Sequence, residues 1–362
     1  MQWLADIFIG IVTTYLVATN FLADRLIAIF PSLAPETYLA EVTEEEITSA
    51  IAELPRLRNI PDVLRRSLPY QSALLSDATL PSTATTNPLE ALVNIFCTFT
   101  TATTIRTTTG TGFFVHSEGV ILTNAHVAQY LLIAETDQLG EADCTVRGGN
   151  PASPLYKAEL LYIPPAWVLE NAALIDVALP SGTGERDYAL LYVTESVSRE
   201  PLPARFPALT LYTDPLPRSL RGSPVTAAGY PAADLATRGA AATIIPRLAT
   251  TSVSELYTFG SNLADVFSIR GSVVGAQGSS GGPVLSSDGR VIGLIVTRGD
   301  DTTDGAGSLR AITLSHINLT IEEETGFPLE RNISGNLPLR SKLFSDSLAP
   351  FLRQILVQEI TR

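Results

Sequence analysis

From Leu89 to about Ile321 the chain is a succession of short apolar runs, among them ALVNIFCTF, TGFFV, GVILTNA, AELLYI, DYALLYV, SPVTAAGY, GRVIGLIV and LRAITL, parted by Gly, Pro, Asn and Asp. Runs rich in Val, Ile, Thr, Phe and Tyr between turn formers read as β-strands. Parallel strands need long helical crossovers, and no long amphipathic helix lies between these runs. The expected fold class is therefore all-β, a barrel or sandwich built from antiparallel strands.

The two ends have a different texture. Ile7–Ala23 is an uncharged stretch of 17 residues bounded by Asp6 and Asp24. As a helix it would span about 25 Å, slightly less than a hydrocarbon core of about 30 Å. It has no basic flank before it and no small-residue cleavage pattern after it, so a membrane anchor over residues 1–30 is the preferred reading. A cleaved signal and a buried helix are the alternatives. Residues 31–90 read as a helical stalk, with Thr43 before an acidic first turn, followed by the Thr/Ser/Pro-rich linker TLPSTATTNP. A β domain then covers 91–320. Residues 321–362 read as a polar loop and a C-terminal helix in which Pro350 is an interruption.

Composition narrows the partners. A formal charge of −13 and a pI near 4.7 argue against nucleic acid, which is bound through clustered cations. The only cysteines, Cys97 and Cys144, are too few and too far apart for a zinc site with close ligand pairs. Both lie in strand-like runs on either side of His126, and a disulfide outside the cytoplasm is the preferred reading. Two unpaired, buried cysteines are the alternative.

Three residues carry the chemistry. Ser280 lies in QGSSGGP, where small neighbours let the main chain approach a reacting carbonyl and aim N–H groups at a developing oxyanion. A serine hydroxyl is a weak nucleophile, and it needs a base such as an imidazole, whose intrinsic pKa is about 6.5. Among three histidines, His126 follows the apolar run GVILTNA. His116 reads as a solvated turn residue, and His316 as a satisfied structural histidine. A buried carboxylate must then orient the imidazole. Asp187, heading DYALLYV, is preferred, and Asp176 in IDVALP is the rival.

Taken in order, GTGFFV, TNAHV, DYALL, AGYP and GSSGGP resemble the chymotrypsin-like serine peptidases, including the HtrA type, over roughly residues 91–318. The resemblance implies two six-stranded antiparallel β-barrels with a cleft between them. It implies His126 and Asp187 from the first barrel, Ser280 from the second, and an oxyanion hole formed by the N–H groups of Gly278 and Ser280. The chain order His, Asp, Ser fits that class and not the subtilisin or α/β-hydrolase orders. The activity implied is endopeptidase cleavage of polypeptide substrates without a cofactor. A weakly active binding module on the same fold, tethered to a membrane, is the alternative. Two departures from the family pattern matter. Ser279 stands where cleavage-activated members carry Asp, which disfavours activation by a new N-terminus. Val274 stands where enzymes cutting after Lys or Arg carry an acid, leaving an apolar pocket or one in which Arg298 attracts an acidic side chain.

Overall fold

The computed structural model describes residues 61–76, 84–100, 105–134, 141–176, 184–233, 235–299 and 305–361. Twelve strands close into two barrels. The first holds β1 (Leu92–Thr100), β2 (Ile105–His116), β3 (Val120–Thr123), β4 (Glu141–Gly148), β5 (Ser153–Tyr162) and β6 (Ala189–Ser196), in the order β1-β2-β3-β6-β5-β4. The second holds β7 (Pro224–Gly229), β8 (Arg247–Tyr257), β9 (Val266–Ile269), β10 (Pro283–Leu285), β11 (Val291–Arg298) and β12 (Leu309–Thr313), in the order β10-β11-β12-β9-β8-β7. Pairing within both is antiparallel. Closure leaves no unpaired edge, and alternate side chains turn inward. Ile95, Phe113, Ile121, Val146 and Leu190 bury themselves in the first barrel, and Val225, Phe267, Ile269, Val284 and Ile295 in the second.

Ten helices surround these sheets: α1 (Pro61–Arg66), α2 (Leu68–Leu75), α3 (Pro88–Ala91), α4 (Ala125–Ala134), α5 (Pro165–Asn171), α6 (Leu235–Arg238), α7 (Leu314–Thr325), α8 (Leu329–Asn332), α9 (Leu337–Ser347) and α10 (Ala349–Ile360), counted among the described residues. α7 was not expected. Thr313 caps it by accepting from the His316 N–H at 3.1 Å, and Leu314, Ile317 and Ile321 form its buried stripe. The C-terminal run forms two helices where one interrupted helix was expected. α9 closes at Ser347, and Pro350 sits in the first turn of α10, where its missing N–H costs no intrahelical bond.

α9 packs on β5 and β6 of the first barrel, and α10 packs on α4 and α5 beside it. Ser341 Oγ of α9 donates to Glu159 Oε2 of β5 at 2.8 Å, and Arg353 Nε of α10 donates to the Leu132 carbonyl of α4 at 2.8 Å. The wholly buried Arg340 ties α9 to α2, donating to the carbonyls of Asn332 and Ser334 and reaching the Tyr70 hydroxyl at 3.4 Å. The C-terminal region is thus part of the same packed unit as the barrels, and not a separate tail.

Cys97 and Cys144 face each other in register across β1 and β4 and form a disulfide. The bridge ties a strand before His126 to a strand after it within the same barrel. The apolar stretch Ile7–Ala23, and most of the expected stalk, lie outside the described residues. Among the described residues no helix is long and apolar enough to cross a membrane.

Candidate active site

β3 delivers the chain to α4, so His126 is the second residue of a helix and not the last of a strand. That position leaves its main-chain N–H without an intrahelical acceptor. Asp187 supplies one: its Oδ1 accepts from the His126 N–H at 2.9 Å, while its Oδ2 accepts from His126 Nδ1 at 2.7 Å. One carboxylate therefore fixes both the backbone and the ring of the same residue. The Asp187 side chain is 7% exposed and that of His126 23%, so the acid is shielded and the base is accessible.

Asp187 sits in a loop that is itself pinned. Its N–H donates to the Gly184 carbonyl at 3.2 Å, and Asn124 Nδ2 donates to its carbonyl at 2.7 Å. Arg186 has φ +54°, in the left-handed region that costs a residue with a Cβ about 1–2 kcal/mol. Its guanidinium reaches into α7, with Nε 3.3 Å from Glu324 Oε1 and one amino group 3.6 Å from Glu323. Glu324 is almost wholly buried and also accepts from the Tyr162 hydroxyl. Burial pushes its carboxyl up to about 7, outweighing the opposing pull of the Tyr162 hydrogen bond and the Arg186 charge. Asp176, the rival, ends the short turn Ala172–Asp176, and the carboxylate against His126 is that of Asp187.

Ser280 is half-buried in the connection that leads into β10. Its hydroxyl makes no hydrogen bond among the described residues. Hydrogen bonds between catalytic groups commonly tighten only when substrate is bound. Contacts of Ser280 and of the residue after it set the serine against β2 and the end of β3. Its carbonyl accepts from the Thr111 N–H at 2.7 Å, and a Cβ added at Gly281 would fall 1.9 Å from the Thr111 carbonyl oxygen and 2.6 Å from Thr123 Oγ1. Thr123 is three residues before His126. Gly281, at φ +86°, thus allows the two barrels to meet at the serine.

The amides of Gly278 and Ser280 meet no acceptor among the described residues. In a trans peptide the N–H points opposite to the preceding carbonyl. The Gln277 carbonyl is held by the Ala232 N–H at 2.7 Å, and the Ser279 carbonyl by the Gly282 N–H at 2.9 Å. Both flanking amides are thereby turned away from the carbonyl anchors, with their donors unused. Gly278 has φ +94°, and a Cβ there would lie 2.6 Å from the Tyr230 carbonyl oxygen.

Ser279 is wholly buried and donates to the Val274 carbonyl, a neutral internal anchor for the loop. Val274 is itself wholly buried in the second barrel's core, while Arg298 is exposed at the end of β11. His116 is buried rather than solvated, because the hairpin folds back so that its Nδ1 accepts from the Glu118 N–H at 3.4 Å, and burial lowers its pKa. His316 is only half satisfied. Its Nδ1 lies 3.3 Å from Asp265 Oδ1, its buried Nε2 meets no partner among the described residues, and burial lowers its pKa.

The sequence profile of the trypsin-like peptidase domain family matches residues 110–294. No curated protein matches the chain. Among solved structures, the active form of the Rv3671c protease from M. tuberculosis is 21% identical, with 66% of this chain and 82% of that chain covered and a TM-score of 0.39. Its inactive form is 20% identical, with coverage of 65% and 89% and a TM-score of 0.39. The structure of Deg5 is 19% identical, with coverage of 63% and 86% and a TM-score of 0.39.

Proposed function

We propose that this chain, which belongs to the trypsin-like peptidase domain family, is a serine endopeptidase that cleaves polypeptides through an acyl-enzyme on Ser280. The observation that carries this reading is the double contact from the shielded Asp187 carboxylate to His126. With Nδ1–H donating to that carboxylate, Nε2 is the nitrogen that accepts a proton.

In the proposed reaction Ser280 Oγ attacks the carbonyl carbon and its proton passes to His126 Nε2. The resulting oxyanion is held by the N–H groups of Gly278 and Ser280. Collapse breaks the C–N bond, and His126 returns the proton to the leaving amine, which departs and leaves an ester on Ser280. Water then gives a proton to His126 and adds to the ester. The second collapse breaks the ester C–O bond, His126 returns its proton to Ser280 Oγ, and the acid product leaves and loses its own proton to solvent. Asp187 orients the ring and stabilises the imidazolium throughout.

On the substrate side, the exposure of Arg298 fits contact with a substrate side chain, whereas complete burial limits Val274 to shaping the wall behind it. We place the catalytic domain outside the cytoplasm, tethered by Ile7–Ala23. The Cys97–Cys144 bridge fits an oxidising compartment, and carbonate extraction with protease-accessibility mapping tests that placement.

Labelling by a fluorophosphonate probe tests the chemistry. The parent chain takes up the probe and Ser280→Ala does not. A folded parent chain that stays unlabelled at neutral pH would overturn the peptidase reading.

A further inference from the structure

Four consecutive carbonyls line the loop that contains the serine, and each is held. Gln277 is held by the Ala232 N–H, Ser279 by the Gly282 N–H, and Ser280 by the Thr111 N–H. The Gly278 carbonyl is the exception in kind, because its donor is a side chain: Thr111 Oγ1 at 2.7 Å. The same oxygen accepts from the Tyr230 N–H at 2.9 Å, two residues before Ala232. Thr123 Oγ1 in turn donates to the Thr111 carbonyl at 2.7 Å. Every polar atom of this wholly buried threonine is therefore committed.

This pattern has a direct consequence for the two free amides. The peptide between Gly278 and Ser279 joins the unit bearing the Gly278 N–H to the unit bearing the Ser280 N–H. If it rotated, the two donors would no longer share a direction, since trans peptides are rigid planes coupled through their φ and ψ angles. Gly278 is the residue best able to rotate, because it lacks a Cβ and already occupies φ +94°. A hydrogen bond on its carbonyl removes that freedom, and the hydroxyl that makes the bond comes from the other barrel.

We infer that the Thr111 hydroxyl is a positioning group for the oxyanion hole, bridging the Tyr230 amide and the Gly278 carbonyl so that the Gly278 and Ser280 amides stay aimed at one point. The inference rests on Ser280 being the nucleophile. Thr111 touches no reacting atom; it acts through the peptide that it holds. It also gives the GTG run a role beyond its strand: the glycines on either side leave space, Val127 packing over Gly110 and Ile121 over Gly112, while the residue between them reaches across.

Thr111→Val keeps the shape and removes the hydroxyl, leaving the Gly278 carbonyl and the Tyr230 amide unpaired. Thr111→Ser restores the hydroxyl without the methyl. The rate of labelling by the fluorophosphonate is resolved into its first-order limit, kinact, and its half-saturation concentration, KI. The phosphoryl oxygen gains negative charge as Ser280 attacks, so kinact reads the oxyanion donors whereas KI reads probe binding. Thr111→Val is expected to lower kinact by about 10- to 100-fold with KI unchanged, less than the 10²–10³ for deleting a donor outright. Thr111→Ser stays within about threefold of the parent, the hydroxyl being the group that counts.

If Thr111→Val does not fold, as judged by its thermal melt, Thr111→Ala against Thr111→Ser makes the same comparison. Equal kinact in the parent and the hydroxyl-free variant overturns the inference, and so does an equal loss in Thr111→Ser, which would assign the effect to the methyl. A parent chain that is not labelled at all removes the peptidase reading instead, and the two failures are thereby told apart.

Discussion

Glu324 is the buried group whose titration most directly links stability to pH. It lies on α7 beneath the loop that presents Asp187, facing Arg186, Tyr162, Tyr188 and Thr320, with Glu323 and Glu170 adding like charge. Burial raises its carboxyl from 4.5 in the unfolded chain to about 7 in the fold. Between those values the folded chain binds more protons than the unfolded one, so stability falls as pH rises. The loss begins above the unfolded value and is complete once pH has passed the folded one. A shift of this size corresponds to about 3 kcal/mol, at about 1.36 kcal/mol per pKa unit. Glu324→Gln removes the titration and keeps the shape: its carbonyl can face Arg186 while its amide donates to the Tyr162 oxygen. Urea unfolding of parent and variant at intervals from about pH 4.5 to 8 measures the difference directly. The variant's stability relative to the parent should climb by about 3 kcal/mol over that range, most steeply between the two pKa values. A difference that stays flat across the range would refute the reasoning, since it would mean that Glu324 ionises as readily in the fold as out of it.

Asp187→Asn should lower turnover by on the order of 10⁴ by favouring the wrong imidazole tautomer, whereas Asp176→Asn should leave it nearly unchanged; steady-state hydrolysis of fluorescent casein compares them. Replacing Cys97 and Cys144 together by Ala opens a bridge across a sequence separation of 47 and should cost about 2–4 kcal/mol in urea unfolding. Leu352→Ala, in the wholly buried stripe of α10, should cost about 2–5 kcal/mol, read as a lowered thermal midpoint.

The strands were legible because their signal is local. ALVNIFCTF becomes β1, DYALLYV ends in β6 and GRVIGLIV becomes β11, each a run whose alternate side chains fill a barrel. The contact between His126 and Asp187 was legible for a related reason, since few histidines compete and Asp187 directly precedes a buried run. Reading failed where two periodicities overlap. The run GVILTNA reads as strand through to its end, yet from Ala125 the chain is helix, and short apolar runs do not separate the two. α7 was missed behind its charged end, although Thr313 and the Leu314, Ile317, Ile321 spacing were cues. The burial of His116 and the half-satisfied state of His316 depend on tertiary neighbours that no local pattern contains. The same holds for Arg186 with Glu324 and Thr111 with Gly278, which lie far apart in sequence.

The residues proposed for the chemistry all stand on connections and not in the ladders: the first turn of α4, the loop from Gly184 to Tyr188, and the loop from Gln277 to Gly282. A closed barrel fixes its strands through paired backbone groups, but it leaves a connection free unless something outside the ladder holds it. Here each connection has its own holder. Asp187 and Arg353 grip the two ends of α4; Asn124 and Glu324 grip the Asp187 loop; Thr111, Ala232 and Gly282 grip the serine loop. Two of these holders, Arg353 and Glu324, come from the C-terminal helices, which join the site to a part of the chain that carries none of its chemistry. Loosening a holder should therefore lower activity before it melts the barrels, because the ladders do not depend on it. Arg353→Ala tests this: it removes the bond to the Leu132 carbonyl at the far end of the His126 helix, so a fall in fluorophosphonate labelling at unchanged circular dichroism would show the helix end transmitting to the ring.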